Sequence, residues 1–426
     1  MGASFAFVLP RYGKDLGGGA EALARGILLG LQSAYSKDLL PLAKLEVWTT
    51  CARDHRTWKN EHPCGVSEED GMLVRRFPVD ERDLEIFISS EMKMAQGWEL
   101  SVDEQLAWLS ESVNSKSLYE HIVSHGKDFD LLFFAPYLFA TSFWGSLIYP
   151  ERSVLIPCLH DEQYAYLDVF RCAFESVSGL VFNTNAEREL ARSLYKLKDL
   201  DKRSEVVGMG FDMPDTQAPG QEECASLLKQ ASLWQKLEPI LHSPETPYLL
   251  YSGRKEQGKN LDMLIDYHEE FCRRESSPNC PLVIIGSGNI EFRKQLPERV
   301  IDLGFVTEEE KKLLMCSALC LCQPSKKESF SIVIMEAWRE GTPVIVHGDC
   351  AVTREHVETS NGGLCFSNID EYCEVMRCLL SEEELRKNLG LSGMAYVKRD
   401  YSWQAVLERF HRGCRKFEER SRKLRD

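Results

Sequence analysis

No apolar run in this sequence approaches the roughly 20 residues needed to cross a bilayer, and the longest candidates have only strand length. Residues 4–10 lack a basic leader and a small-residue cleavage site, so they read as a first strand and not as a signal peptide. Net positive charge is also missing. At −15 the net charge opposes nonspecific attraction to nucleic acid or to an anionic membrane. Basic residues gather only between 409 and 425, interrupted by Glu418 and Glu419, which reads as a solvated terminal helix in preference to a membrane-touching tail. The fifteen cysteines are scattered, without a Cys-x-x-Cys pair, and are expected reduced in a cytosol. Cys316, Cys320 and Cys322 sit in an apolar segment without matching histidines, as small buried hydrophobes rather than a zinc site. Low-complexity segments and strict internal repeats are absent.

What is present is alternation. With 426 residues the chain exceeds the size at which one core keeps growing, so two domains are expected. Strand-like residues 4–10 lead into a glycine-rich loop and then into residues 20–31, where Leu23, Ile27, Leu28 and Leu31 recur at helical spacing. Gly17, Gly18 and Gly19 do not form a G-x-G-x-x-G fingerprint. They permit close backbone approach, either to a phosphate or sugar at the helix start or within a plain connecting loop. Residues 45–50 and 72–79 read as strands, the polar stretch from Arg53 to Asp70 as a mobile loop, and residues 85–124 as helical, with Trp98 and Trp108 each in core packing. From residue 131 to 209 strands and helices alternate with short links, the pattern of a parallel sheet covered on both faces. His160 and Asp161 directly follow one strand, on the edge where such sheets bind ligands.

Prolines crowd residues 212–247, and beyond them the strand–helix pattern restarts. The division expected is 1–212 for a first Rossmann-like domain with 402–426 returning to it, 213–247 as a linker region, and 248–401 as a second Rossmann-like domain. The fold class is therefore α/β with two doubly wound halves. In the second half Arg254 and Lys259 follow the first strand, where two cations suit a diphosphate.

The chain is organised around Glu328 and Glu336, eight positions apart. A helix beginning near Ser331 leaves Glu328 in the preceding loop and Glu336 inside the helix. The amides of Ser329, Phe330 and Ser331 then stand at the positive end of the helix dipole, an anion site. Glu336 is free to accept hydrogen bonds from a sugar's vicinal hydroxyls, and Glu328 faces whatever the diphosphate carries. Two solvated surface glutamates are the bland reading of the same spacing. Asp128 with Asp130, and Asp199 with Asp201, satisfy Asp-x-Asp patterns but read as polar edges rather than metal ligands.

Taken together, the Gly-Gly-Gly-Ala-Glu21 loop, Leu159-His-Asp161, Val206-Val-Gly-Met-Gly-Phe-Asp212, Ser252-Gly-Arg-Lys-Glu-Gln-Gly-Lys-Asn260, Ile284-Ile-Gly-Ser-Gly288, Leu303-Gly-Phe-Val306 and Glu328-x7-Glu336 resemble glycosyltransferase family 4, in family order over nearly the whole chain. The resemblance implies the GT-B architecture, two Rossmann-like domains facing across a cleft with a C-terminal helix crossing back. It also implies a retaining hexosyltransferase using a UDP- or GDP-linked sugar by a metal-independent front-face mechanism. By the same resemblance Arg254 and Lys259 hold the diphosphate, and the backbone of Ser329, Phe330 and Ser331 contacts sugar and phosphate. Glu336 takes the ribose, the backbone at Val306 meets the base, Gly18 and Gly19 approach the phosphate or donor sugar, and His160 lies near that sugar. Glu328 orients the sugar without becoming glycosylated. No metal or other cofactor is expected.

The implied partners are the nucleotide-sugar donor and a glycan, lipid-linked or polyol acceptor, with no nucleic acid. The implied location is cytoplasmic, with peripheral contact at the inner membrane face left open. Two departures bear on donor geometry: Trp338 stands where a small residue is commoner, and Ser329 and Ser331 partly replace the glycine usual in this motif. Sugar-nucleotide epimerases or phosphorylases of the same fold, and a noncatalytic nucleotide-sugar scaffold, are the competing classes.

Overall fold

Short apolar runs, too brief for helices and flanked by turns, become the strands of two sheets. The computed structural model describes residues 2–14, 16, 18–36, 42–213, 221–276 and 279–425. The chain divides into two units, Met1–Gly210 with Trp403–Asp426, and Phe211–Ser402. Gly17, Pro214, Pro219 and Gly220 lie outside the described residues.

The first unit is built on β1 (Ala3–Leu9), β2 (Leu42–Thr50), β3 (Gly65–Glu69), β4 (Met72–Phe77), β5 (Leu131–Phe134), β6 (Ser153–Leu155), β7 (Gly179–Phe182) and β8 (Ser204–Val206). Their order is β3-β4-β2-β1-β5-β6-β7-β8, parallel except for the antiparallel β3–β4 pair. Every residue of β5 and β7 is buried, as a strand covered on both faces requires. The helix Trp403–Arg425 closes this unit. Phe410 packs against Phe7 and Phe133, and Phe417 lies over Gly179, where a Cβ would sit 2.5 Å from its ring. Some of the terminal basic residues are engaged within the unit: Arg412 and Lys416 both pair with Glu205, at 2.6 and 3.0 Å.

The second unit holds β9 (Leu249–Ser252), β10 (Leu282–Ile285), β11 (Val300–Gly304), β12 (Cys320–Gln323), β13 (Val344–His347) and β14 (Gly363–Phe366), all parallel in the order β11-β10-β9-β12-β13-β14. Cys316, Cys320 and Cys322 are buried in it.

Three expectations need correction. The stretch from Arg53 to Asp70 is not irregular throughout, because it contains the edge strand β3, which its polar, exposed composition concealed. The expected linker carries two helices, Gln221–Gln230 and Trp234–Leu241, that belong to the second unit; Leu228, Trp234 and Leu237 are buried there. Trp108 is a core residue with its indole donating to Glu91 at 2.7 Å, whereas Trp98 is 65% exposed. Among the described residues no helix is long and apolar enough to cross a membrane.

Candidate functional site

In the second unit β9 and β12 are neighbours, so the loops that follow them emerge side by side. The β9 loop ends in a single turn, Gln257–Lys259, and in Asn260, which adopts left-handed dihedrals and donates to the Pro324 carbonyl at 3.2 Å. This tether brings Lys259 to Glu328: the ammonium lies 2.6 Å from Oε1, with both side chains largely buried. Two residues assigned separately from sequence thus form one ion pair.

The helix after Glu328 spans Ile332–Arg339, with Ser331 as its cap residue. Ser331 does not cap with its side chain. It takes φ 67°, a left-handed conformation in which glycine carries no Cβ penalty, and its hydroxyl accepts from Gln323 Nε2 at 3.2 Å. Phe330 is anchored by its ring, edge-on to His356 at 5.4 Å and to Tyr401 at 5.2 Å. The amides of Ser329, Phe330 and Ser331 precede the first helical residue, where the helix supplies no carbonyl partner. Glu336 projects from the second turn to Lys311, with Nζ and Oε1 2.8 Å apart. Lys311 comes from the helix Glu308–Ser317, whose start is fixed by a capping box between Thr307 and Glu310. Burial opposes the Lys311 charge, but the carboxylates of Glu336 and Glu308 outweigh it and raise its pKa.

Arg254 is less committed. Its guanidinium is 44% exposed and pairs with Glu256 at 3.2 Å. The cation next to it, Lys255, is buried and bonded to Asp302 at 2.7 Å, tying the β9 loop to β11. At Gly286 an added Cβ would fall 2.0 Å from the Gly253 carbonyl, so the β9 and β10 loops touch through backbone. Val306 lies two residues beyond β11, after a Phe305 that is 82% exposed. Trp338 does not enter this group: it is fully buried, donates to the Gly362 carbonyl at 2.8 Å, and packs where Gly393 leaves room.

The remaining assigned residues belong to the first unit. Gly18 has φ +147°, and a Cβ there would lie 2.1 Å from Glu21 Oε2; Gly19 opens the helix Gly19–Ser36 with open space where its Cβ would be. Glu21 pairs with the buried Arg11, whose guanidinium stands over Trp58 at 5.4 Å. His160 Nδ1 lies 3.4 Å from Glu162 Oε2. The loop bearing it is held by Glu187, which accepts the amides of Leu159 at 2.6 Å and Asn183 at 2.5 Å. Burial pushes the Glu187 carboxyl up to about 8 against those amides. Sequence reasoning missed Lys255, Lys311, Arg11 and Glu187. Only Glu187 had a local signal, three residues after the hydroxyl of Thr184, which caps its helix. Asp130 accepts from the Ser4 amide, and Asp199 and Asp201 pair with Lys202 and Arg192. Among the described residues no group of three or more His, Cys, Asp or Glu side chains could hold a metal ion.

Residues 234–394 match the family model described as glycosyl transferases group 1. Human alpha-1,3/1,6-mannosyltransferase ALG2 is 26% identical over 196 residues, covering 42% of this chain and 47% of that protein, so the chain spans about half the length of this curated relative. Two solved structures share the fold. The alpha,alpha-trehalose 6-phosphate synthase of Burkholderia multivorans superimposes with a TM-score of 0.72 at 10% identity, covering 100% of this chain and 99% of that one. Anabaena Alr3699/HepE, in complex with UDP and glucose, superimposes with a TM-score of 0.64 at 15% identity, covering 96% and 98%.

Proposed function

We propose, from the match of residues 234–394 to the glycosyl transferases group 1 model, that the chain is a retaining glycosyltransferase that takes a hexose from a UDP- or GDP-linked donor. The observation that carries this reading is the Lys259–Glu328 pair standing directly ahead of a helix start inside that domain. In the unliganded chain the lysine neutralises the carboxylate. A bound diphosphate, with more negative charge, competes for Lys259 and lies against the amides of Ser329, Phe330 and Ser331. Glu328 is then released to face the sugar and to stabilise the positive charge that develops at the anomeric carbon.

Arg254 supplies the second cation, for which its exposure and weak partner leave it available. Glu336, held by Lys311 through one oxygen, offers the other to the ribose hydroxyls. The backbone at Val306 meets the base. The anomeric carbon–oxygen bond breaks toward the diphosphate, whose departing oxygen takes the acceptor's hydroxyl proton as the acceptor oxygen bonds on the same face. Configuration is thereby retained without a covalent enzyme intermediate. Charge on the leaving group is stabilised by Lys259, Arg254 and the helix start, each contact of this kind supplying roughly 3 kcal/mol. No divalent metal is invoked. The acceptor is a glycan, a lipid-linked saccharide or a polyol.

The test is a thermal-shift titration with UDP-, GDP-, ADP- and CMP-sugars in EDTA, repeated on Glu336→Ala and Lys259→Ala. A selective shift in EDTA that is lost in both variants supports the donor site. No shift with any nucleotide sugar, from folded protein, overturns it. His160→Ala separately tests the donor-sugar contact assigned by family resemblance to the first unit. A glycosyl adduct on Glu328 found by mass spectrometry would contradict the same-face route.

A further inference from the structure

Thirteen positions apart, Cys51 and Cys64 place their sulfurs 3.1 Å from each other. The backbone holds them there. Cys51 follows β2, and its carbonyl accepts the amides of both Glu61 and His62 at 2.9 Å, while Ala52 and Asn60 form an antiparallel bridge. Cys64, two residues beyond His62 and just ahead of β3, is exposed; Cys51 is buried. Bonded sulfurs stand about 2.05 Å apart, so closure needs about 1 Å of side-chain movement.

We propose that Cys51 and Cys64 are a redox modification site, at which a peroxide closes a disulfide across the loop between them. The exposed Cys64 sulfur attacks the peroxide oxygen, giving a sulfenic acid and one water. The Cys51 sulfur then attacks that sulfenic sulfur, the S–S bond forms, the S–OH bond breaks, and the hydroxyl leaves as a second water with the Cys51 proton. Hydrogen peroxide is the two-electron oxidant and both thiols are oxidised together. The order follows from access: peroxide reaches Cys64 from solvent, while burial, reinforced by the contact with Cys64, pushes the pKa of the Cys51 thiol up and disfavours its thiolate.

The loop so closed is hitched to the glycine turn of the first unit. Its Trp58, 8% exposed, lies beneath the Arg11 guanidinium, Arg11 donates to the Arg53 carbonyl at 2.9 Å, and Arg11 pairs with Glu21, whose carboxylate fills the space beside Gly18. The disulfide holds the seat of Arg11 in place. Cys224 and Cys316 also adjoin, but both are buried from solvent, which makes them an internal control for access.

The experiment exposes the full chain to low hydrogen peroxide, blocks remaining thiols by alkylation, and maps peptides by mass. The expected result is a linked species joining the Cys51 and Cys64 peptides, lighter by two hydrogens, reversed by dithiothreitol and formed before the Cys224–Cys316 pair reacts. Cys64→Ser abolishes it, and Cys172→Ser, which removes the other exposed thiol among the described residues, leaves it unchanged. Tryptic cleavage after Arg53, Arg56 and Lys59 slows in the oxidised chain and not in oxidised Cys64→Ser. Cys64 advancing to sulfinic acid with Cys51 still a thiol overturns the proposal, as does Cys64 remaining reduced at a peroxide level that oxidises Cys172. Neither readout depends on a donor or an acceptor, so it stands or falls apart from the transferase reading.

Discussion

Lys259 Nζ lies 2.6 Å from Glu328 Oε1, so a cation assigned to the diphosphate and a carboxylate assigned to the sugar neutralise one another across loops that follow adjacent strands. A ligand that enters must exchange this contact for its own, and the pair therefore links the energetics of folding to those of turnover.

Lys259→Ala is expected to lower turnover about a hundredfold or more, because a leaving-group contact is lost. It also leaves Glu328 largely buried without its partner, which costs about 1–3 kcal/mol of stability. Adding Glu328→Gln restores the stability part and leaves turnover low. Urea melts alongside initial rates decide this, and a rate that recovers with stability would assign the pair a structural role alone.

Lys311→Met removes the partner that aims Glu336. The donor KM is expected to rise about tenfold, roughly 1.4 kcal/mol of binding, with kcat little changed. Steady-state kinetics varying the donor make the measurement, and an equal fall in kcat with unchanged KM would count against the ribose role.

Gly393→Ala places a Cβ 2.1 Å from Trp338 Cδ1, in a contact where the indole is fully buried and bonded to Gly362. Overpacking of this kind costs about 1–3 kcal/mol. The denaturation midpoint should fall accordingly, and an unchanged midpoint would mean that the indole has room to shift.

His268 is buried between the Tyr372 hydroxyl at 3.0 Å and the Cys280 carbonyl at 2.9 Å, so Nδ1 accepts and Nε2 donates in the neutral ring. Burial lowers its pKa to about 4, despite the Cys280 bond. Between about 6.5 and 4 the unfolded chain binds the proton that the folded chain refuses, so stability is intact above pH 6.5 and declines as pH falls, by up to about 3 kcal/mol from this group. The difference between wild type and His268→Gln, followed by urea melts from pH 7 to 4, should show that slope; parallel profiles would remove His268 as its source.

Much of the fold was written in local pattern. Residues 131–134, 179–182 and 282–285 are uninterrupted apolar runs, and strands buried on both faces require that. The edge strand β3 was illegible because an exposed Gly-Val-Ser-Glu-Glu segment has no buried face to leave a period. Trp98 and Trp108 have the same chemistry, but Trp108 lies on the helix Val102–Ser110 and packs into the core, whereas Trp98 falls in the link after the helix Leu84–Ala95 and is exposed. In the site, Glu328, Lys259 and Glu336 were named from spacing, but Lys311, the partner of Glu336, and Asp302, the partner of Lys255, lie on other elements, and local spacing carries no record of them.

By itself the sequence determined which residue types stand at which strand ends, because hydrophobic periodicity and helix starts are local properties of the chain. It also determined that two sheets would form, since the strand–helix alternation restarts after the proline-rich stretch. Only tertiary structure decided that Lys259 meets Glu328, that Glu336 is held by Lys311, and that Cys51 meets Cys64. Those contacts depend on strand order and loop path, and the order β11-β10-β9-β12-β13-β14 is selected by the packing of the whole sheet rather than by any one segment.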